Sequence, residues 1–311
     1  MHPNRRDFIK SGFATAAVLI RGNTLNAQSP LAAPTGAASP LFLDATTPKR
    51  EAAAEPFRLG TAHRPDGREL LADRRSLLLD GRPWLPVMGE FHYSRYPAAE
   101  WRDELLKMKA GGIDIVASYV FWIHHEEIEN SFDWSERRSL RAFVGCCREV
   151  GLLAVVRCGP WCHGEVRNGG LPDWILRRDL RVRSDDPRYL DHVRRLYGEI
   201  ARQLDGLLWK DGGPVIGIQL ENEYGGPAEQ LLALKAIAQQ AGLDVPLYTR
   251  TGWPALSNPM PVGQILPLFG AYAEGFWDRV LTPMPGEYGE AFVFKLARTD
   301  AAIATDSAGA P

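Results

Sequence analysis

Two periods of apolar residues alternate along the middle of the chain. Short runs that are apolar throughout predict buried strands, whereas apolar residues spaced by three or four positions predict amphipathic helices. Strands are predicted over 76–79, 84–88, 113–120, 152–156, 215–220, 247–250 and 265–271. Helices are predicted over 97–110, from Ser135 to a stop at Gly151, from Asp186 onwards, and over 228–241. Strands and helices therefore follow one another in the order of a parallel α/β sheet.

Polar residues gather directly after several of these strands. They do so at residues 92–95, 119–127, 157–168 and 221–224. A doubly wound sheet would be expected to carry a glycine-rich phosphate turn after its first strand, and the sequence has none there. The carboxyl ends of the strands hold the chemistry of α/β barrels. We therefore predict a (β/α)8 TIM-type barrel that is incomplete, with about six strands before residue 271.

The two parts of the chain that precede this pattern have different compositions. Residues 4–10 read Asn-Arg-Arg-Asp-Phe-Ile-Lys, and the mild apolar stretch after them is too short to span a bilayer. Residues 1–27 are therefore predicted to be a twin-arginine signal peptide, which implies a periplasmic or secreted protein. Residues 28–75 are rich in Ala, Pro and Thr and are predicted to be a linker or poorly ordered segment with at most one short element, so the barrel domain, truncated before its seventh strand, is placed at 76–311.

The composition and charge of the chain argue against several classes of partner. The 311 residues are 45% hydrophobic and 24% charged, with a formal net charge of −2. This balance gives no general attraction to nucleic acid or to an anionic membrane, and no segment predicts stable membrane insertion. Cys158 and Cys162, with His163 beside them, do not have the spacing of common zinc sites. We expect neither a metal nor a cofactor, and a disulfide between the two cysteines stays open.

The richest stretch for chemistry begins at the predicted strand 215–220. This strand ends abruptly in Glu221-Asn222-Glu223-Tyr224. A carboxyl group at a strand end, beside an amide and a phenol, suits protonation of a glycosidic oxygen. The pattern therefore indicates acid catalysis on a sugar at this edge of the barrel.

Five motifs in order resemble glycoside hydrolase family 35, the β-galactosidases. Together they cover roughly residues 76–275. The motifs are Gly-Glu-Phe-His-Tyr-Ser-Arg at 89–95, Lys-Met-Lys-Ala-Gly at 107–111 with Tyr-Val-Phe-Trp at 119–122, Arg-Cys-Gly-Pro-Trp-Cys-His-Gly-Glu at 157–165, Gly-Gly-Leu-Pro-Asp-Trp at 169–174, and the run 212–225 that contains the strand-end carboxylates.

This resemblance implies a hydrolase that removes terminal β-galactosyl or related β-glycosyl residues from an oligo- or polysaccharide with retention of configuration. It implies that Glu223 is the acid/base, that Asn222 binds the 2-hydroxyl of the sugar, and that Tyr119 and Glu165 bind other hydroxyls. Glu221 is expected to form a structural ion pair instead. The alternative for Glu165 is a salt bridge to Arg167 or Arg157.

The chain also departs from the family pattern. Gly164-Glu165-Val166 replaces the usual Ala-Glu-Trp, and no match to the nucleophile motif of the seventh strand is found. Glu274 is the best substitute nucleophile. The alternatives are a carbohydrate-binding pseudoenzyme and an inactive fragment without the nucleophile strand. Because an incomplete barrel leaves open sheet edges and voids in its core and lacks the nucleophile, the 311-residue chain alone is expected to be poorly soluble and to lack measurable glycosidase activity.

Overall fold

The computed structural model describes residues 56–251 and 256–268. A small antiparallel sheet comes first, formed by β1 (Leu70–Ala72), β2 (Leu77–Leu79) and β3 (Arg82–Trp84) in that order. Asp80 and Gly81 connect β2 to β3 with φ angles of 53° and 72°. This confirms the predicted hairpin turn. The predicted signal peptide, residues 1–27, lies outside the described residues.

The segment predicted to be a linker, 28–75, is folded where the structure describes it. Leu59, Ala62 and Leu70 are buried, and the indole of Trp209 donates a hydrogen bond to the carbonyl of Ala62 at 2.7 Å. The linker expectation is therefore wrong for residues 56–75. The few leucines of this segment lie in isolated turns and in a strand of three residues. They therefore form no helical or alternating pattern from which their burial could be predicted.

A parallel sheet of six strands forms the centre of the described structure. Its strands are β4 (Met88–Glu90), β5 (Ile115–Tyr119), β6 (Leu153–Gly159), β7 (Val215–Leu220), β8 (Leu247–Thr251) and β9 (Leu266–Leu268). Each strand pairs in parallel with the next one in the sequence. The order of a doubly wound sheet reverses at a switch point, so this continuous order confirms an incomplete (β/α) barrel.

The predicted strand over 84–88 is wrong. Trp84 ends β3 and Met88 begins β4, so residues 85–87 are the connection between the two sheets, and Leu85 is 95% exposed. Pro86 has no N–H with which to pair, which explains why apolar residues do not form a strand here. The first barrel strand starts only at Met88.

Helices and short 3₁₀ turns connect the barrel strands. The helices are α1 (Trp101–Ala110), α2 (Trp122–His125), α3 (Leu140–Val150), α4 (Asp173–Leu176), α5 (Pro187–Leu204) and α6 (Ala228–Gln240). The 3₁₀ turns are Tyr93–Arg95, Ala98–Glu100, Glu136–Arg138, Arg167–Gly170 and Trp209–Asp211. Every residue of β5 and β7 is buried, as expected for strands covered on both faces. Among the described residues, none of the helices is both long and apolar enough to cross a membrane.

Helix α3 begins later than predicted. Its N-cap is Ser139, whose hydroxyl accepts a hydrogen bond from the N–H of Ala142 at 3.2 Å. Ser135, the predicted cap, instead gives both its N–H and its hydroxyl to the carboxylate of Asp133, at 2.8 and 2.6 Å. The predicted stop is confirmed, because Gly151 ends the helix in the left-handed conformation.

Two glycines give opposite predictions for stability. A Cβ atom on Gly213 would lie 2.0 Å from the backbone carbonyl of Leu207, whereas one on Gly198, inside α5, would meet nothing within 4 Å. Gly213→Ala should therefore lower the free energy of unfolding by about 1–3 kcal/mol. Gly198→Ala is the matched control and should raise it by roughly 0.5–1 kcal/mol. Urea unfolding followed by circular dichroism measures both, and equal midpoints for wild type and Gly213→Ala would contradict the packing described.

Candidate active site

Three neighbouring strands bring polar side chains to one edge of the barrel. Tyr119 is the last residue of β5 and pairs with Arg157 of β6, which in turn pairs with Gln219 of β7. Asn222 and Glu223 follow the end of β7 after one intervening residue, Glu221. Because the carboxyl ends of parallel strands lie together, the predicted residues Tyr119, Asn222 and Glu223 meet in one site.

The amide of Asn222 lies at the centre of this site and is only 3% exposed. Its Oδ1 accepts hydrogen bonds from the Tyr119 hydroxyl at 2.6 Å, the Arg157 guanidinium at 2.8 Å and the Gln219 amide at 3.3 Å. Its Nδ2 lies 2.8 Å from Nδ1 of His163. Since Oδ1 is surrounded by donors, the orientation of this amide is fixed by its neighbours.

Tyr119 and Arg157 hold each other in place beside the amide. The guanidinium of Arg157 lies over the phenol ring, 3.7 Å from its centroid, and also donates to the phenol oxygen. Arg157 forms an ion pair with Glu90 of β4. Burial raises the pKa of the Tyr119 hydroxyl far above its ordinary value, so the phenol stays protonated and remains a donor.

Glu223 projects from this network towards solvent. Its backbone has a φ of 46°, and its N–H donates to the hydroxyl of Thr251 at the end of β8, with N and Oγ1 2.5 Å apart. Its side chain is 34% exposed, and Oε2 lies 3.0 Å from Nδ1 of His163. The carboxyl group is thus held at the strand ends, within reach of a ligand.

Glu221 has a different environment although it is only two residues away. Its side chain is fully buried, and Oε2 accepts from Nε and Nη2 of Arg183, each at 3.0 Å. This confirms the expected structural ion pair. Burial raises the pKa of the Glu221 carboxyl to about 7, and the charge of Arg183 opposes this rise. Arg183 also donates to the carbonyl of Asn222 at 2.8 Å, so it holds the turn that carries Glu223.

Glu165 does not join this network. Its side chain is exposed, and its carbonyl accepts a hydrogen bond from Arg95 at 3.2 Å. Within the described residues its carboxylate has no recorded hydrogen bond or ion pair, so the alternative of a salt bridge is not observed. Arg167 pairs with Asp173 at 2.8 Å, and Arg157 belongs to the network around the amide. The carboxylate of Glu165 is therefore exposed and stands outside the hydrogen-bond network around Asn222.

Sequence reasoning missed three contributors to the site. These are His163, which lies in the motif 157–165 but has no predicted role in the site, and Arg183 and Thr251, which lie in none of the motifs. His163 lies in the loop after β6, Arg183 in the loop before α5, and Thr251 at the end of β8. Their contacts join segments that are distant in the sequence, so no local pattern predicts them. Cys158 and Cys162 are buried free thiols, and burial raises the pKa of each well above its ordinary value. Glu274 lies outside the described residues.

Comparison with known proteins identifies the family. The model of "Glycosyl hydrolases family 35" matches residues 76–266. The chain belongs to this family. Three similar relatives are described as "Beta-galactosidase". The protein of Homo sapiens is 38% identical over 190 residues, that of Canis lupus familiaris 34% over 219, and that of Xanthomonas manihotis 37% over 184.

The aligned region makes up most of this chain but less than a third of the length of each relative. It takes in 59%, 68% and 58% of this chain, but only 28%, 31% and 31% of the respective relatives. Among solved structures, "Exo-beta-1,4-mannosidase Op5Man5 from Opitutaceae bacterium strain TAV5" is 18% identical with a TM-score of 0.44. That match covers 61% of this chain and 33% of the other.

The buried carboxyl of Glu221 predicts a specific dependence of stability on pH. Its pKa in the fold is about 7 against an ordinary value of 4.5, so the folded state binds the proton more tightly than the unfolded state. The resulting stability is fully present below about pH 4.5 and is lost as the pH rises through 7. Relative to Glu221→Gln, which cannot ionise, the wild type should lose on the order of 2–3 kcal/mol across this window.

Chemical unfolding of both proteins at several pH values measures this difference. Burial lowers the pKa of His124 to about 4 and that of His125 to about 3, so both also make stability depend on pH. They are present in both proteins, and their contribution cancels in the difference. A difference in unfolding free energy that stays constant between pH 4.5 and 8 would contradict the assignment.

Proposed function

We propose that the barrel is the catalytic part of a glycoside hydrolase that removes terminal β-galactosyl residues from an oligo- or polysaccharide. Membership of family 35 and relatives described as β-galactosidases support the reaction class and the sugar. The observation that carries the proposal is the position of Glu223. It lies at the carboxyl end of a barrel strand, half-exposed, beside a buried network that can orient a sugar.

In this proposal Glu223 is the general acid that protonates the leaving oxygen and then the base that activates water. The two carboxyl groups of the turn, Glu221 and Glu223, have different roles because their surroundings differ. Glu221 is buried against Arg183 and cannot reach a sugar, whereas Glu223 points to the open edge. Two carboxyl groups in different surroundings are a common way to separate a catalytic acid from a structural charge.

The sugar would be held by the groups that surround the acid. One N–H of the Asn222 amide is directed at His163, which leaves the second N–H for a sugar hydroxyl such as the 2-hydroxyl. Tyr119 lies beside it and offers its phenol oxygen. In this proposal the exposed carboxylate of Glu165 accepts from another hydroxyl. Hydrogen bonds of this kind favour a galactosyl group in one orientation.

The acid role of Glu223 predicts a dependence on the leaving group. Glu223→Gln should lower hydrolysis of galactosides with poor leaving groups by about 10²–10⁴-fold, because such oxygens need a proton to depart. Activated aryl galactosides should lose much less in bond cleavage. Single-turnover and steady-state rates on both kinds of substrate test this, with the exposed Glu149→Gln on α3 as the matched control. An equal loss on both kinds would argue against the acid role.

We further propose that the reaction retains the configuration of the anomeric carbon. Retention requires a second carboxylate about 5 Å from Glu223 that attacks the sugar. Glu274 stays the sequence-based candidate for this nucleophile. Proton NMR of the first-formed sugar from a β-galactoside should show the β-anomer before mutarotation. Initial release of the α-anomer would sink the proposal of retention.

A further inference from the structure

We propose that Arg183 is a positioning residue, whose guanidinium fixes the turn after β7 and thereby the place of the Glu223 carboxyl group. The inference rests on the proposed function, in which Glu223 is the acid. Arg183 lies in the loop between α4 and α5, outside the five sequence motifs. Its side chain is 23% exposed, and it reaches three consecutive residues of the turn, Glu221, Asn222 and Glu223.

The guanidinium contacts both the side chain and the backbone of this turn. Its Nε and Nη2 both donate to Oε2 of Glu221, at 3.0 Å each. Nη2 carries two hydrogens, so it also donates to the carbonyl of Asn222 at 2.8 Å, and the carbonyl of Glu223 lies 3.5 Å away from it. A planar guanidinium, with its hydrogens in fixed directions, can hold these groups at the same time.

The sheet does not extend into this turn. The ladder between β7 and β6 ends at Leu220. Beyond it, the N–H of Glu221 donates to the carbonyl of Gly159 at 2.8 Å, and the N–H of Glu223 donates to the hydroxyl of Thr251. The backbone between these two N–H groups is therefore held from the side, by the guanidinium, rather than by a neighbouring strand.

Three residues in this contact have left-handed backbone angles. The angle φ is 52° at Arg183, 55° at Glu221 and 46° at Glu223. Residues with side chains rarely adopt such angles, and the angles persist only where surrounding contacts hold them. Loss of the guanidinium is therefore expected to let the turn relax towards ordinary angles and to displace the carboxyl group of Glu223.

Arg183 is itself held in place, as a support must be. Its Cζ lies 4.7 Å from the centre of the Trp161 ring, in the loop after β6, and 5.6 Å from the centre of the Tyr224 ring. The hydroxyl of Ser184, the next residue, accepts from the N–H of Asp186 at 3.2 Å. Asp186 is the N-cap of α5, so the loop that carries the guanidinium is tied to that helix.

Removing the guanidinium alone would leave the buried carboxylate of Glu221 unpaired, which is strongly destabilising. The test therefore uses the double variant Arg183→Met/Glu221→Gln, which removes both charges together. Glu221→Gln alone is its reference, because it keeps the guanidinium and an oxygen that accepts from it. Arg181→Gln is the matched control, since Arg181 lies in the same loop, is 75% exposed and pairs with Asp185.

Amide hydrogen exchange followed by ¹⁵N NMR measures the turn in the full 311-residue chain. In the double variant the N–H of Glu223 should exchange about tenfold faster than in Glu221→Gln, the effect of roughly one lost hydrogen bond. Amides inside β7 should exchange as in the reference. Equal exchange of Glu223 in the two variants would overturn the inference. A proportional rise throughout β7 would do the same, since Arg183 would then contribute only to the stability of the fold.

Kinetics test the second part of the inference, that the turn places the acid. Relative to Glu221→Gln, the double variant should lose about 10²-fold with galactosides that have poor leaving groups, because a displacement of about 1 Å can cost that much. Activated aryl galactosides should lose much less, and Arg181→Gln should match the wild type on both. An equal loss on both kinds of substrate would contradict positioning of the acid.

The two measurements separate this inference from the proposed function. Hydrogen exchange needs no turnover, so it tests the hold of Arg183 on the turn even if the chain hydrolyses no galactoside. If Glu223→Gln fails the leaving-group test while exchange behaves as expected, the proposed function is refuted and the support of the turn stands. If Glu223→Gln passes that test and the double variant matches its reference in rate and in exchange, only the role of Arg183 is refuted.

Discussion

The site depends on one buried amide. Asn222 must satisfy its oxygen and its nitrogen without water, because an unpaired buried polar group costs about 1–3 kcal/mol. It does so with side chains from β5, β6 and β7, which the parallel register brings to the same level. The barrel strands therefore specify where this amide points. Through it they specify the surroundings of the imidazole and of the half-exposed carboxyl group that follows in the chain.

The turn after β7 shows how one short segment separates two carboxyl groups. Glu221 and Glu223 both have left-handed backbone angles, 55° and 46°, which direct their side chains to different surroundings. One is enclosed with Arg183 and stabilises the turn, and the other reaches the edge of the barrel. Such angles are unfavourable for residues other than glycine, and hydrogen bonds from Arg183 and to Thr251 hold them.

Much of this arrangement was predictable from the sequence, for physical reasons that differ between elements. The strand that ends at Leu220, just before Glu221, is apolar except for Gln219, so its identity and its end are evident without a structure. The meeting of Tyr119 with Asn222 follows from the rule that parallel strand ends share one edge, and the ion pair of Glu221 was expected from its position.

The rest depends on contacts between distant segments, which no local pattern encodes. The partner of Glu221 comes from a loop 38 residues earlier, and His163 contacts Asn222 only because a loop after β6 returns to the end of β7. Residues 56–75 look like a linker by composition, yet Leu59 and Leu70 fill the core. The start of α3 shifted because Asp133 competes for the serine that would otherwise cap the helix.

The central claim is that Glu223 is the acid/base of a retaining galactosidase, and chemical rescue tests it most directly. In Glu223→Gly, an activated aryl galactoside should still form the glycosyl-enzyme, but water would attack slowly without a base. Azide needs no base, so added azide should accelerate turnover and yield the β-galactosyl azide. Turnover that does not respond to azide, or a product that is the α-azide, would contradict the account.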